Sequence, residues 1–595
     1  MVRPLGDFST DARQLGGLTL LAAGLGVLAA LLAVVLLDAI ALITNLAYHA
    51  RLSFAPAVPS LDRWGPWSVL VPVAGALVVG VIARFGSEKI RGHGIPEALQ
   101  SILERESIIP ARLLLFKPLA SAITIGTGGP FGAEGPIIMS GGALGSLAAQ
   151  FLLLTPVERR VLLVAGAAAG MSATFGSPVA AVFLAVELLL FEWRPRSLVP
   201  VAVASIVAYA LRARLLGTAP VFAVAHAHAF EVTLLPWALA LGVLVGGVSG
   251  VLTVLVYAVE DLYGTLRLHW MWWPALGAII VGAGGMIAPQ ALGVGYPTIS
   301  ALVNGQLALS AVVAIVVVKA IIWIVSLSSG TSGGVLAPLL LLGAGTGALA
   351  SVVLPLHDPA LWAAIAMAAM LGGTMRAPFT ATIFALETTH EWSILVGVFA
   401  AAVAATATTV VFVRRSILTE KLARRGTHVA REYAVHPLER TAVAQIMVPR
   451  AKVETVRGTL AAALFRARLG DADARHSHAT YPVVDAAGAL EGVVRRGRVL
   501  AADATSAVTV SALVEPAVVV RHDQRVREAV ELMARTEHRG LVVVDEHGGW
   551  VGFLDQGDVL DAWRTTLGEE ERRRRHRRLP AFLRRPAVSA GERSA

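Results

Sequence analysis

The sequence predicts an all-α polytopic membrane domain followed by a soluble α/β part. Three observations predict it. Of the 595 residues, 56% are apolar and only 15% are charged, where a soluble globular chain carries about 25% charged residues. The apolar material is concentrated between about Gly16 and Val413, with a mean hydropathy of +0.69 for the whole chain. The final third, in contrast, has ordinary soluble composition with β-rich runs, glycine turns and short helical stretches.

A bilayer core about 30 Å thick needs roughly 20 mostly apolar residues per helical span. Stretches near 16–48, 67–84, 198–217, 235–259, 273–288, 306–327, 334–355 and 394–413 reach or approach that length. Arg3, Asp7, Asp11 and Arg13 precede an apolar run far longer than a signal-peptide core, so the first stretch reads as a retained span. The chain has no cysteine, which removes disulfides, thiolate metal sites and cysteine nucleophiles together.

The net charge of +9 is placed beside the membrane part. Arg414, Arg415, Lys421, Arg424 and Arg425 follow the last span, and Arg572–Arg575, Arg577, Arg578, Arg584 and Arg585 crowd the tail. Such clusters mark the cytoplasmic side and attract anionic lipid. They point to membrane surface and not to nucleic acid.

Two repeats organise the chain. Inside the membrane part, Ser172–Glu187 lines up with Gly372–Glu387, matching Thr174 with Thr374, Pro178 with Pro378 and Glu187 with Glu387. The segment from Glu134 likewise meets the segment from Leu336, and a lone lysine, Lys117 or Lys319, lies 17 residues before each. Duplicated halves are a common transporter plan, with the site where the halves meet. In the soluble part, Tyr481–Ala502 parallels Leu541–Ala562, each a strand, a glycine turn, a second strand and a helix start. This tandem βαββα unit resembles a pair of CBS modules, which pack together and often bind adenine nucleotides.

Three glycine-rich segments run straight into apolar helices that open on proline. They are Gly92–Leu99 (GHGIPEAL), Gly126–Ile138 (GTGGPFGAEGPII) and Ser328–Leu340 (SSGTSGGVLAPLL). Proline suits a first helical turn, and a helix N-terminus offers free N–H groups and about half a positive charge to an anion. In lipid, broken backbone survives only where it is buried in protein or lines a cavity. One such break is a kink; three with the same grammar predict a pore for anions. Glu134 stands at the start of one of these helices, and an ionisable residue at membrane depth is functional by default. Its carboxylate can occupy the positive helix end as an anion would, and swing away when protonated or displaced.

The segments GHGIP, GAEGP and GGVLAP resemble the signature loops of the CLC chloride channel and transporter family, from about Gly92 to the end of the membrane part. The resemblance implies two inverted repeats of transmembrane helices, a homodimer with one anion pathway per subunit, and an inner (plasma) membrane location with cytoplasmic CBS modules. It assigns Glu134 the gate, and places Gly92, His93, Gly94, Ile95, Gly132, Ala133, Gly135, Val335, Leu336 and Leu418 along the anion path. Lys117 matches a buried basic residue that tunes the pore field, while Glu187 and Glu387 match structural glutamates outside the path. The domains expected are a cytoplasmic segment 1–14, the membrane domain 15–426, CBS modules at 438–505 and 506–566, and a basic tail 567–595.

The departures from the family pattern carry information. His93 replaces a hydroxyl donor of the first loop; imidazole donates one N–H when neutral. Ala133 replaces an arginine, Leu336 a phenylalanine, and Leu418 a pore-lining tyrosine. Leu188 stands where coupled exchangers carry an inner proton-transfer glutamate. The expectation is therefore transport of chloride and other small anions, passive or only weakly coupled to protons. A strict chloride/proton antiporter and a fluoride-selective relative are the alternatives within the class. A CBS-regulated divalent cation channel is the alternative outside it, but hard cations need oxygen ligands in the pore and the loops offer N–H groups instead. No HExxH pair and no nucleophile with a base argues for an enzyme. No cofactor is required; an adenine nucleotide at the CBS pair is the one ligand the resemblance adds. There Asp558 keeps the ribose-binding position, whereas Arg498 occupies it in the first module.

Overall fold

The computed structural model describes residues 12–224, 230–427, 441–471, 478–502 and 508–564. The expected segment 1–14, apart from its last residues, and the basic tail 567–595 lie outside the described residues. The chain divides into two units, Met1–Tyr433 and Ala434–Ala595.

Small and apolar residues without alternating polarity make the first unit a set of helices in two matching series. The first is α1 (Ala12–Thr44), α2 (Leu70–Phe85), α3 (Ile95–Glu104), α4 (Arg112–Gly126), α5 (Glu134–Phe151), α6 (Pro156–Phe175), α7 (Pro178–Leu184) and α8 (Pro195–Leu215). The second is α9 (Leu235–Thr265), α10 (Trp273–Ile287), α11 (Tyr296–Val303), α12 (Leu309–Ser328), α13 (Leu336–Ala350), α14 (Pro359–Met375), α15 (Pro378–Thr389) and α16 (Leu395–Phe412). A short α17 (Ile417–Arg424) follows. Pro156, Pro178, Pro359 and Pro378 each open a helix in corresponding places, because a first-turn residue needs no N–H partner.

Two reciprocal contacts relate the series by a two-fold pseudo-axis. The Glu187 carboxylate, one turn past α7, accepts from the Phe379 and Thr380 N–H groups at 3.2 and 2.7 Å. The Glu387 carboxylate on α15 accepts from the Val179 and Ala180 N–H groups at 3.0 and 2.8 Å. Each glutamate caps the N-terminus that its counterpart's helix leaves unsatisfied, and such mutual contact is what a two-fold relation produces. Both glutamates are thereby structural, as the resemblance implies.

Among the described residues, seven helical stretches are long and apolar enough to cross a membrane: Gln14–His49, Gly65–Phe85, Pro195–Leu215, Val232–Thr265, Trp270–Ile287, Leu309–Ser328 and Trp392–Arg424. They coincide with seven of the eight apolar stretches in the sequence. The eighth, 334–355, is a correction: its helix α13 has only 15 residues and is buried along its length. α13 starts from the third glycine loop, inside the packed helices, where a buried start needs no full span. α6 from Val161 and α14 from Ala360 are also buried on every side. Gly141 on α5 and Gly166 on α6 face each other so closely that a Cβ on either would strike the other's carbonyl oxygen, the small-residue packing that lets helices approach in lipid.

In the second unit, β1 (Val448–Pro449), β7 (Trp550–Asp555), β6 (Gly540–Val544) and β5 (Val519–Arg521) form one sheet in that order. β2 (Val456–Arg457), β3 (Thr480–Val484) and β4 (Leu490–Arg495) form the other. The duplication seen in the sequence extends to backbone detail. Each sheet has a parallel pair (β2–β3, β5–β6) and an antiparallel hairpin with one register shift, at Val483/Val484 or Val543/Val544. Each hairpin turn is held by an aspartate, Asp485 or Asp545, that accepts two backbone N–H bonds at 2.7–2.9 Å. The helices Ala462–Asp471 and Val526–Thr536 close the two small cores.

Candidate functional site

The three glycine loops meet through their backbones. Gly132 and Gly334 exchange N–H···O bonds at 3.1 and 2.8 Å, and Gly92 N–H donates to Gly330 O at 3.3 Å. The Ser121 and Ser332 hydroxyls bond at 2.9 Å. Gly135 lies against the His93 carbonyl so closely that no Cβ would fit, and a Cβ on Gly94 would stand 2.6 Å from Gly135 O. Gly92 and Gly94 also carry φ of +86° and +93°, open to glycine and strained for other residues. The N-termini of α3, α5 and α13 are drawn together by these contacts, and the first-loop, second-loop and third-loop residues named from the sequence assemble here.

Glu134 sits at the centre, fully buried. Its Oε1 accepts from Ala337 N–H in the first turn of α13 at 3.2 Å, while Oε2 has no hydrogen-bond partner. The carboxylate packs on Gly132 and Gly334; a Cβ at Gly334 would lie 2.5 Å from Oε2. A negative group thus bridges two positive helix ends from separate halves, which is the position those ends offer an anion. Ala133 and Val335 are the corresponding N-cap residues of α5 and α13, and Ala133, Val335, Leu336 and Ile95 are all buried.

His93 is buried, and its Nδ1 has no partner. The Lys117 ammonium donates to Ile90 O and Gly92 O at 2.7 and 2.5 Å. The structure therefore gives Lys117 a specific bond set in addition to the expected field: it clamps the backbone that leads into α3. Glu97 caps α3 by accepting from Gly94 N–H at 2.9 Å, and pairs with Lys421 of α17 at 3.1 Å. Leu418, buried at the start of α17, supplies no donor. A phenol does stand beside it, since Tyr257 of α9 donates its O–H to Ile417 O at 2.5 Å. That hydroxyl is committed to backbone and does not replace the missing tyrosine. Leu188 is buried in the π-helical turn Ala185–Leu190. Glu192 accepts from the Ser197 hydroxyl at 2.6 Å and pairs with Arg194 at 3.5 Å.

A fourth loop completes the set and is absent from the sequence reading. Gly293-Val294-Gly295-Tyr296-Pro297 opens α11 as Gly92-His93-Gly94-Ile95-Pro96 opens α3. Lys319 donates to Ala291 O and Gly293 O at 2.9 and 2.8 Å, the counterpart of the Lys117 clamp. The signal was present: Lys319 follows Lys117 by 202 residues, and Gly293 follows Gly92 by 201, within one residue of the same offset.

In the second unit, Asp558 accepts from Asp555 N–H at 2.7 Å. Arg498 pairs with Glu515 at 3.0 Å. Arg498, Glu515, Arg539 and His538 line a cleft of about 1320 Å³ between the two modules. Asp558 is not among its lining residues, so the one aspartate singled out for a ribose is turned to its own backbone.

Comparison with known proteins bears on both units. The family described as voltage gated chloride channel matches residues 74–410, and the CBS domain family matches residues 510–564. The H(+)/Cl(−) exchange transporter ClcA of Salmonella arizonae is 28% identical over 390 residues, covering 63% of this chain and 82% of that protein. A putative chloride channel protein, ClcB-like, of Ralstonia nicotianae is 26% identical over 342 residues, 56% of this chain and 80% of that protein. Among solved structures, a slow cyanobacterial Cl−/H+ antiporter superposes with a TM-score of 0.61 at 20% identity, over 70% of this chain and 99% of the other. A eukaryotic CLC transporter gives 0.60 at 21% identity, over 91% of this chain and 97% of the other. A CLC-type fluoride/proton antiporter gives 0.59 at 21% identity, over 69% and 98%. At these identities the structural likeness speaks for the fold.

Proposed function

We propose, from the premise that the chain belongs to the voltage gated chloride channel family, that this multi-pass membrane protein carries chloride and other small anions past a gate formed by Glu134. The observation that carries the reading is the Glu134 carboxylate on the paired N-termini of α5 and α13, with one oxygen held by Ala337 N–H and the other unpartnered. A chloride ion arriving at those helix ends competes with the carboxylate for the same N–H groups. Protonation removes the charge that holds the side chain there. Either event frees the path.

The rest of the path follows from the same loops. Gly92, Gly94 and Ile95 present the α3 N-terminus, and His93 supplies the N–H that replaces the family's hydroxyl. Gly132, Ala133 and Gly135, with Val335 and Leu336, present the α5 and α13 ends. Leu418 lines the inner side without a donor. Lys117 holds the first loop and adds positive field.

Weak proton coupling is the transport mode supported by Leu188, which offers no carboxylate, and by Glu192, whose oxygens are engaged by Ser197 and Arg194. The second reading is strict chloride/proton exchange, favoured by the names of the ClcA relative and the cyanobacterial antiporter. Purified protein in vesicles, given a chloride gradient and an internal pH dye, separates them. Weak coupling predicts anion flux with little uphill proton movement. A fixed chloride-to-proton ratio held across gradients overturns weak coupling and supports exchange, and flux of fluoride far above chloride redirects the substrate.

A homodimer in the inner membrane, with the CBS modules cytoplasmic, completes the reading. Its support is an exposed aromatic patch of Trp193, Phe379 and Phe399, in which Phe379 stacks on the half-buried Phe183. An adenine nucleotide at the CBS pair is proposed at no more than one weak site, since Asp558 is engaged by backbone. Calorimetry of the full chain in detergent with ATP tests it, and two tight sites overturn it.

A further inference from the structure

The fourth loop carries a side chain with no assigned role. Tyr296 is the first residue of α11, set by Gly295 at φ +83° and by the Lys319 clamp behind it. Its ring is fixed edge-on between Phe222 and Phe175, at centroid distances of 5.7 and 6.2 Å and interplanar angles of 71° and 75°. Its hydroxyl is buried and has no hydrogen-bond partner. A buried tyrosine O–H normally finds one, and leaving it unpaired is unfavourable.

The loop also lies beside the gate. Gly295 packs on Leu341 of α13; a Cβ there would stand 2.9 Å from the Leu341 side chain. Leu341 is one turn beyond Ala337, whose N–H holds Glu134. The Lys319 ammonium of α12 lies on the same glycine, 3.7 Å from where a Gly295 Cβ would stand, and among the described residues it is the charged group coupled electrostatically to Glu134. Two orphaned polar atoms, Glu134 Oε2 and Tyr296 Oη, therefore share one neighbourhood.

The geometry points to Tyr296 as the positioning residue that receives the Glu134 carboxylate when it leaves the α5 and α13 N-termini. This rests on the reading of Glu134 as the gate. Leaving the helix ends forfeits the Ala337 N–H bond, and a hydrogen bond from the phenol to an ionised carboxylate replaces it with one of similar strength. The two positions of the gate then lie close in free energy, as a two-state element must to be switched by a ligand. The phenol donor serves the charged carboxylate most. It lets the gate open without a proton, and so sets how much anion flux persists at neutral pH.

Tyr296→Phe keeps the ring in its aromatic cage and removes only the hydroxyl. The expected result is a fall of about tenfold in anion flux at neutral pH, from losing one charge-assisted bond. Flux at acid pH, where Glu134 takes a proton, stays near wild type, so the pH profile steepens. In a Glu134→Gln background the same substitution has no effect, because the two changes act on one contact. An unchanged profile for Tyr296→Phe, or an equal loss in both backgrounds, overturns the proposal. If Glu134→Gln itself keeps the wild-type profile, the gate reading has failed and not the tyrosine alone. Should Tyr296→Phe not yield folded protein, site-specific 3-fluorotyrosine at 296 gives a stronger donor and must raise neutral-pH flux; no rise overturns the proposal equally.

Discussion

The first and fourth glycine loops solve one backbone problem with different chemistry. Both turn through glycines with positive φ, both enter a helix on proline, and both are tied by a buried lysine to two carbonyls of the loop. Around the first loop stand His93, Glu97, Lys421 and Arg425. Around the fourth stand Val294, Tyr296, Phe175 and Phe222. Duplication preserved the part that shapes the chain and released the side chains around it. The starts of α5 and α13 teach the same lesson: Glu134 opens one and Leu336 the other, so two matching helix ends share a single carboxylate.

That asymmetry is broken most strongly at the gate itself. Glu134→Gln is expected to remove the pH dependence of anion flux, since an amide does not titrate and competes poorly with chloride for Ala337 N–H. Flux measured from pH 4 to 8 in vesicles checks it, and a retained wild-type profile would remove Glu134 from the gate.

The shared backbone solution is tested by the lysines. Lys117→Met and Lys319→Met each leave two buried carbonyls without a donor. Each is expected to destabilise the membrane unit by about 2–5 kcal/mol, the cost of two unsatisfied buried groups. Thermal unfolding in detergent measures both. Near-equal losses support equivalence of the clamps; a neutral Lys319→Met would break the comparison.

A smaller difference should separate the two reciprocal glutamates. Glu187 accepts from two N–H groups and from the Thr380 hydroxyl at 2.5 Å, whereas Glu387 accepts from two N–H groups. Glu187→Gln is expected to cost about 1–3 kcal/mol and Glu387→Gln somewhat less, as charge-assisted bonds at helix N-termini weaken to neutral ones. The order of the two melting temperatures is the observable, and the reverse order contradicts the argument.

The two CBS modules offer the smallest effect. His478 precedes β3 and pairs with Asp555 of β7 at 3.1 Å. The hydrogen bond that the imidazole donates to the Asp555 carboxylate raises its pKa above the ordinary value, against partial desolvation. The contribution is therefore full below the ordinary histidine range, near 6.5, and is lost as pH rises through the raised folded value. With the ring 42% exposed, it amounts to under about 1 kcal/mol. Hydrogen exchange at the β3 amides of the full chain should be faster at pH 8 than at pH 6 after correction for intrinsic rates, and Asp555→Asn should abolish the difference.

Much of the site was legible before any coordinates. The loops GHGIP, GAEGP and GGVLAP, the buried lysine and the glutamate at a helix start all converge as their grammar implies, because glycine, proline and an intramembrane charge each have few physical uses. The fourth loop is less legible, because Val294 and Tyr296 give GVGYP the look of ordinary apolar chain, though Lys319 marks it. Asp558 illustrates the opposite limit of spacing. Its type and spacing suit a ribose, and in the structure it also accepts from the Asp555 N–H at 2.7 Å, a contact that no spacing reports.

The sequence by itself determined the class, the seven long spans, the duplication and the residues at the helix starts, because hydropathy and backbone preference act over a few residues. Only the tertiary structure decided which ends meet: that Glu134 of one half bonds the first turn of α13, that Glu187 and Glu387 cap each other's halves, and that the Tyr296 hydroxyl is left without a partner. Those pairings join residues as far as about 200 positions apart. They depend on how buried polar groups are shared out once the helices have packed, a condition on the whole fold that no local pattern contains.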